Sequence, residues 1–263
     1  MSMKRLEFFI NKYELAAQIF RHRMAKPQDF PFWRKIEEKL WAKYKNEPAL
    51  YFIYPKYLDW SFQLIRLEIK NNKIIPPLKK IGDKLLKIYK EIFVSAEFKK
   101  IIKETDDFLI KVERQWGENE LAVLGYFKQI LGLKIPSKIT VVILHPRLCV
   151  GKAVPNKNKI LWGHPEEWKN YSTVYLAHEL LHILTENKYK NYDLIHAIIE
   201  LAADNELRIR LNKYGRYFKE NNHSVGHKNL RKLEKKILPF WKSYLKKPTN
   251  IFLLESRIKK ALF

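Results

Sequence analysis

The sequence predicts an α+β protein that is mainly helical. An all-helical N-terminal region (1–117) should lead into a small domain (118–247) with a short sheet and two core helices, followed by a basic C-terminal extension (248–263). Three observations predict this. Apolar residues recur at helical spacing through the first 117 positions, and β-branched runs bounded by proline and glycine set in beyond Gly117. The charge is also uneven: 25 basic and 15 acidic residues in 1–117, ten of each in 118–207, and 16 against 3 in 208–263, for a total of +23.

Leu6, Phe9, Ile10, Tyr13, Ala17 and Phe20 fall on one face of a helix over 3–24, which Pro27 and Pro31 should end. Helices are expected at 31–46, 57–71, 77–93 and 96–116, the last opened by Ser95 as an N-cap and closed before Gly117. Another follows at 119–131. The run Lys138–Leu144, rich in β-branched residues between Pro136 and Pro146, predicts a strand, and Lys159–Trp162 before Gly163 predicts a second. Helices at 172–187 and 193–212 flank a polar turn at 188–192. Gly215 and Gly226 punctuate the next loop, and 227–247 is amphipathic, with Pro239 set to kink or split it.

Composition narrows the class. With 46% hydrophobic and 14% aromatic residues the chain can fill a core, which excludes intrinsic disorder. A single cysteine, Cys149, excludes an intramolecular disulfide and is expected to be a small buried residue after a strand. No signal-peptide core and no run of about 18 apolar residues is found, so a cytoplasmic protein without a membrane span is expected.

The chemistry concentrates in His178-Glu179-Leu180-Leu181-His182. Two histidines four apart lie one helical turn from each other on one face, so both imidazoles can reach one ion, for which Zn2+ is the natural guest. Glu179 falls beside that ion, placed to take a proton from a bound water. The surrounding Val174, Leu176, Ala177, Leu180, Leu181, Ile183 and Leu184 make the helix apolar nearly all round, so its polar groups need partners. Catalytic zinc takes a third protein ligand. Counting down one helix and back up the next returns Glu200 to the level of the histidines, and Asp204 shares its face, where a carboxylate can fix a histidine tautomer. His196, four residues before Glu200, competes for the ligand role and ranks below it.

H-E-x-x-H followed by Glu200-Leu-Ala-Ala-Asp204 resembles the gluzincin zinc metallopeptidases, and its soluble minigluzincin members in particular, over about residues 119–247. The resemblance implies a zincin-like domain with an active-site helix and a glutamate helix. It implies one zinc per chain on His178, His182 and Glu200, Glu179 as general base and acid acting on a metal-bound water, and Asp204 supporting His178. The strand at Ile160, Leu161 and Trp162 would be the substrate-pairing edge. For the group that stabilises the oxyanion, Tyr214, Tyr217, His223 and His227 are candidates, and His223 is preferred.

The expected function is a zinc-dependent peptidase acting on peptide or protein substrates, an endopeptidase by preference, with latency left open. The alternative is a nucleic-acid-binding protein with a structural or regulatory zinc site, using the basic C-terminal region and the aromatics Trp33, Trp41, Tyr44, Tyr54, Tyr57 and Trp60. A third reading makes residues 1–117 an inhibitory segment over the cleft.

Overall fold

The computed structural model describes residues 5–25, 76–136, 138–185 and 192–262. The expected helices at 31–46 and 57–71, and the aromatics from Trp33 to Trp60, lie outside the described residues. The architecture is α+β and mainly helical, with a four-stranded sheet.

The chain opens on a strand, β1 (Leu6–Ile10), where the sequence predicted a helix. Leu-Glu-Phe-Phe-Ile suits an extended backbone, and Leu6 buries while Glu7 and Phe9 stay exposed. Asn11 then separates strand from helix: its Oδ1 accepts the backbone N–H groups of Tyr13 and Glu14 at 3.0 and 3.1 Å, an N-cap that opens α1 (Lys12–Ala25). The N-terminal region is therefore not all-helical. α2 (Pro76–Phe93) follows. α3 (Ala96–Gln129) starts on the predicted cap, with Ser95 Oγ accepting from Phe98 N at 3.2 Å. It runs straight through Gly117, which keeps a helical backbone at a cost of about 1 kcal/mol. The helix gives out near Gly132, whose φ of +65° is the left-handed turn.

The described residues fall into two compact units. One is drawn from Ile10–Leu109 and Ile143–Cys149, with Leu15, Ala16, Tyr89, Ile92 and Phe98 in its core. Cys149 in this unit is exposed, not buried, because it closes a short 3-10 turn at φ 49°. The other is drawn from Met1–Phe9, Ile110–Val142 and Val150–Phe263 and holds the candidate site.

In that second unit β2 (Ile139–Ile143), β3 (Val150–Val154) and β4 (Lys159–Gly163) join β1 in the order β1-β2-β4-β3. β3 and β4 are antiparallel, with Ala153 opposite Ile160 and Gly151 opposite Trp162. β4 is thus an interior strand. Ile160, Leu161 and Trp162 are buried between β2 and β3, so they do not form the sheet edge expected of them; β3 is the outer strand beside them. α4 (Tyr171–Thr185) carries the histidine pair, and α5 (Tyr192–Glu200) passes through a π-helical turn, Leu201–Leu207, into α6 (Arg208–Asn212). A small hairpin of β5 (Lys219–Glu220) and β6 (His223–Ser224) precedes α7 (Arg231–Lys246), which stays one helix through Pro239. Within the expected extension, α8 (Ile251–Leu262) forms and buries Ile251, Leu254 and Ile258. No helix among the described residues is long and apolar enough to cross a membrane.

Phe127, fully buried on α3, tests this core. Phe127→Ala should destabilise the protein by about 3–5 kcal/mol, read as a lower urea midpoint at unchanged slope.

Candidate metal centre

α4 is pinned at its N-terminus by neutral and acidic side chains. Ser172 N donates to the Glu166 carboxylate, Thr173 N to Gln115 Oε1 at 2.9 Å, and Trp162 Nε1 to Ser172 Oγ at 2.9 Å. One turn on, the helix is sunk in the unit, and His178, Glu179 and His182 are all buried with it. Polar groups so placed need partners, and the fold supplies them.

His178 Nδ1 donates to Asp204 Oδ1 at 2.8 Å, which turns its Nε2 toward His182 Nε2, 3.1 Å away. Asp204 sits in the π-turn. That wider turn releases carbonyls that side chains take up: Asn205 Nδ2 donates to Glu200 O at 2.9 Å, and the Tyr126 hydroxyl donates to Ala202 O at 2.9 Å. Arg208 Nε donates to Asp204 O at 2.7 Å, while its guanidinium pairs with the buried Glu220. The aspartate is therefore held from both ends.

α5 contributes two groups on the face toward α4. His196 brings its ring to 4.7 Å from that of His182 and 5.4 Å from that of His178, and Glu200 is fully buried one turn later. Two donor sets result, in each of which the ligand atoms lie within 4.8 Å of one another: His178, His182 and His196, and His196, Glu200 and His227. The expected trio of His178, His182 and Glu200 is not one of these sets. The Glu200 carboxylate accepts the His227 backbone N–H at 3.0 Å and the His227 Nδ1 at 2.5 Å. Gly226, at φ +77°, permits this approach, since a Cβ there would collide with the Glu200 carboxylate.

His227 is the loop histidine that reaches the cluster. His223, preferred from sequence, is exposed on the β5–β6 hairpin, 3.9 Å from the Glu167 carboxylate, and joins neither donor set. His196 was visible in the sequence through its four-residue spacing from Glu200. His227 is among the four oxyanion candidates, with nothing in the sequence to rank it above His223.

Glu179 points to the sheet. Ala153 N donates to its Oε2 at 2.6 Å, so the backbone of this β3 residue faces the open edge and not β4. Gly151, two residues away, faces the same side. A Cβ on it would stand 3.0 Å from Trp162 Cζ3 and 3.4 Å from Glu179 Oε1, so the missing side chain makes room for the carboxylate. Comparison with known protein families, curated proteins and solved structures finds no match.

The electrostatics follow from burial. Desolvation and the neighbouring histidines push His182 down to about 2, and desolvation with His178 brings His196 down to about 4, so both are neutral donors at physiological pH. Burial also lowers His178, but the charge and hydrogen bond of Asp204 outweigh it and carry the ring up to about 9. In the metal-free protein a proton therefore occupies the gap between His178 and His182. Burial raises the Glu179 carboxyl, and burial with the adjacent Glu200 charge pushes Glu234 up to about 8. Two neutral imidazoles, a third with its tautomer fixed and a carboxylate form the nitrogen and oxygen donor set that zinc prefers.

Because its pKa is raised, His178 adds stability that is fully present below pH 6.5 and is lost as pH rises through about 9. In chelator-treated protein, imidazole NMR should show one ring titrating near 9. Asp204→Asn should lower it markedly, since burial is then opposed only by the charges of Glu179 and Glu200.

Proposed function

We propose that this protein is a zinc-dependent peptidase of gluzincin type. The observation that carries the reading is the joining of two features on one helix: a buried histidine pair whose free nitrogens converge, and a buried glutamate between them that touches the open edge of the sheet. His178 and His182 would hold the ion with Glu200 from the facing helix. Zinc bound there would polarise a scissile carbonyl and acidify a water molecule.

The rest of the chemistry belongs to side chains. Glu179 takes the proton of the attacking water and passes it to the leaving amine, and its burial, by raising its pKa, brings it closer to the range in which a base works near neutrality. Asp204 keeps the proton of His178 on Nδ1 and so its Nε2 free for the ion. The edge of β3 offers hydrogen bonds to an extended peptide through the backbone of Gly151 and the Ala153 carbonyl, the Ala153 N–H being taken by Glu179. His227, which Glu200 keeps protonated more readily than an ordinary histidine, takes the oxyanion role once assigned to His223.

Two substitutions separate these roles. Glu179→Gln should leave zinc content at one per chain while cleavage of a mixed peptide library falls by about 10²–10⁴-fold. Asp204→Asn should instead weaken zinc binding by about 10–100-fold and leave partial activity at saturating zinc. Loss of zinc from Glu179→Gln, measured by metal analysis after dialysis, would sink the assignment of this glutamate as the base.

A further inference from the structure

Resting on the metal-centre reading above, we propose that His196 is a fourth protein ligand, joining His178, His182 and Glu200, and that the resting site is therefore closed. The His196 Nε2 is buried and has no hydrogen-bond partner, an uncommon state for such an atom. It stands within 4.8 Å of the ligand atoms of both His178 and His182, and 3.7 Å from Glu200 Oε1.

The spacing has a simple meaning. Zinc bound tetrahedrally at about 2.0–2.1 Å separates neighbouring ligand atoms by ~3.3–3.4 Å. The His178–His182 nitrogens, at 3.1 Å, and the His196–Glu200 pair, at 3.7 Å, fall on either side of that value. His196 is the one residue shared by the two donor sets, so it links the histidine pair to Glu200, whose carboxylate must turn from His227 to join them on one ion. Each pair comes from residues four apart on one helix, α4 for the first and α5 for the second, so the facing helices bring His196 to the histidine pair and Glu200 to His196.

Four protein ligands are the mark of a structural zinc, whereas a catalytic zinc keeps a position open. In the resting protein hydrolysis is held back, and activity requires His196 to leave the ion. The His227 ring, 4.8 Å from that of His196 and bonded to Glu200, crowds the same corner of the site.

X-ray absorption fine structure at the zinc edge, on the unaltered zinc-loaded chain, counts imidazole ligands. Three are expected, and two would overturn the proposal. His196→Ala should still bind one zinc, show two imidazoles, and hold the metal at least about tenfold less tightly against a competing chelator. Its cleavage of a mixed peptide library should exceed that of the unaltered chain, and added free imidazole should restore the third ligand and suppress the gain. An imidazole count that His196→Ala leaves at three also overturns the proposal, and points to His227. Three imidazoles falling to two, with no peptide cleaved by either protein, would uphold the ligand and remove the peptidase reading. Failure of the unaltered chain to take up zinc would remove both.

Discussion

The hydrogen bond from His178 to Asp204 is the constraint on which this half of the molecule turns. A histidine inside a helix that is apolar on nearly every side is an unpaid desolvation unless something opposes it, and a buried aspartate alone is worse. Each answers the other at 2.8 Å. The surrounding structure then reads as the apparatus that keeps Asp204 in place: the π-turn that carries it, the Asn205 and Tyr126 groups that satisfy the carbonyls this turn releases, and Arg208 on its backbone oxygen. Arg208 is itself buried and needs Glu220 and the Arg216 carbonyl, so the demand for partners passes outward to the β5–β6 hairpin.

Much of the site could be read from the sequence because its key spacings are local. His178 with His182, and Glu200 with Asp204, are four-residue pairs, and helical geometry alone places each pair on one face. What could not be read depends on which segments meet. Lys159–Trp162 has the composition of a strand whether it lies inside a sheet or at its edge, and only the pairing of β2 on one side and β3 on the other decides between them. His223 and His227 sit in the same polar loop, and the choice between them rests on Gly226, whose positive φ turns the chain onto the Glu200 carboxylate.

The fold outside the site shows the same division. α2 matched its periodicity and the start of α3 its cap, since both are determined by neighbouring residues. β1 did not, because Leu6, Phe9 and Ile10 fit a helical face and a strand about equally well, and the decision falls to Asn11 and to pairing with a segment more than a hundred residues away. Gly117 was taken as a stop for a related reason. Its cost of about 1 kcal/mol is small against the burial of Val112, Trp116, Val123 and Phe127 along one continuous face.

Charge favours a cation at the proposed site. Glu179, Glu200 and Asp204 are carboxylates with almost no access to water, and Glu234 presses a fourth against Glu200. Against them stand His178 and His227, while His182 and His196 are kept neutral by burial and by one another. Metal-free, the cluster relieves its negative charge by raising the Glu179, Asp204 and Glu234 carboxyls, by pairing Glu200 with His227, which holds that carboxyl low, and by keeping a proton on His178. A divalent ion on the proposed ligands would displace that one proton and add a net positive charge, so uptake trades a single His178 proton for two charges placed among the carboxylates. The same exchange leaves Glu179 outside the donor set, still fixed by Ala153 at the edge of β3, which is where an extended chain laid along that strand would present its backbone.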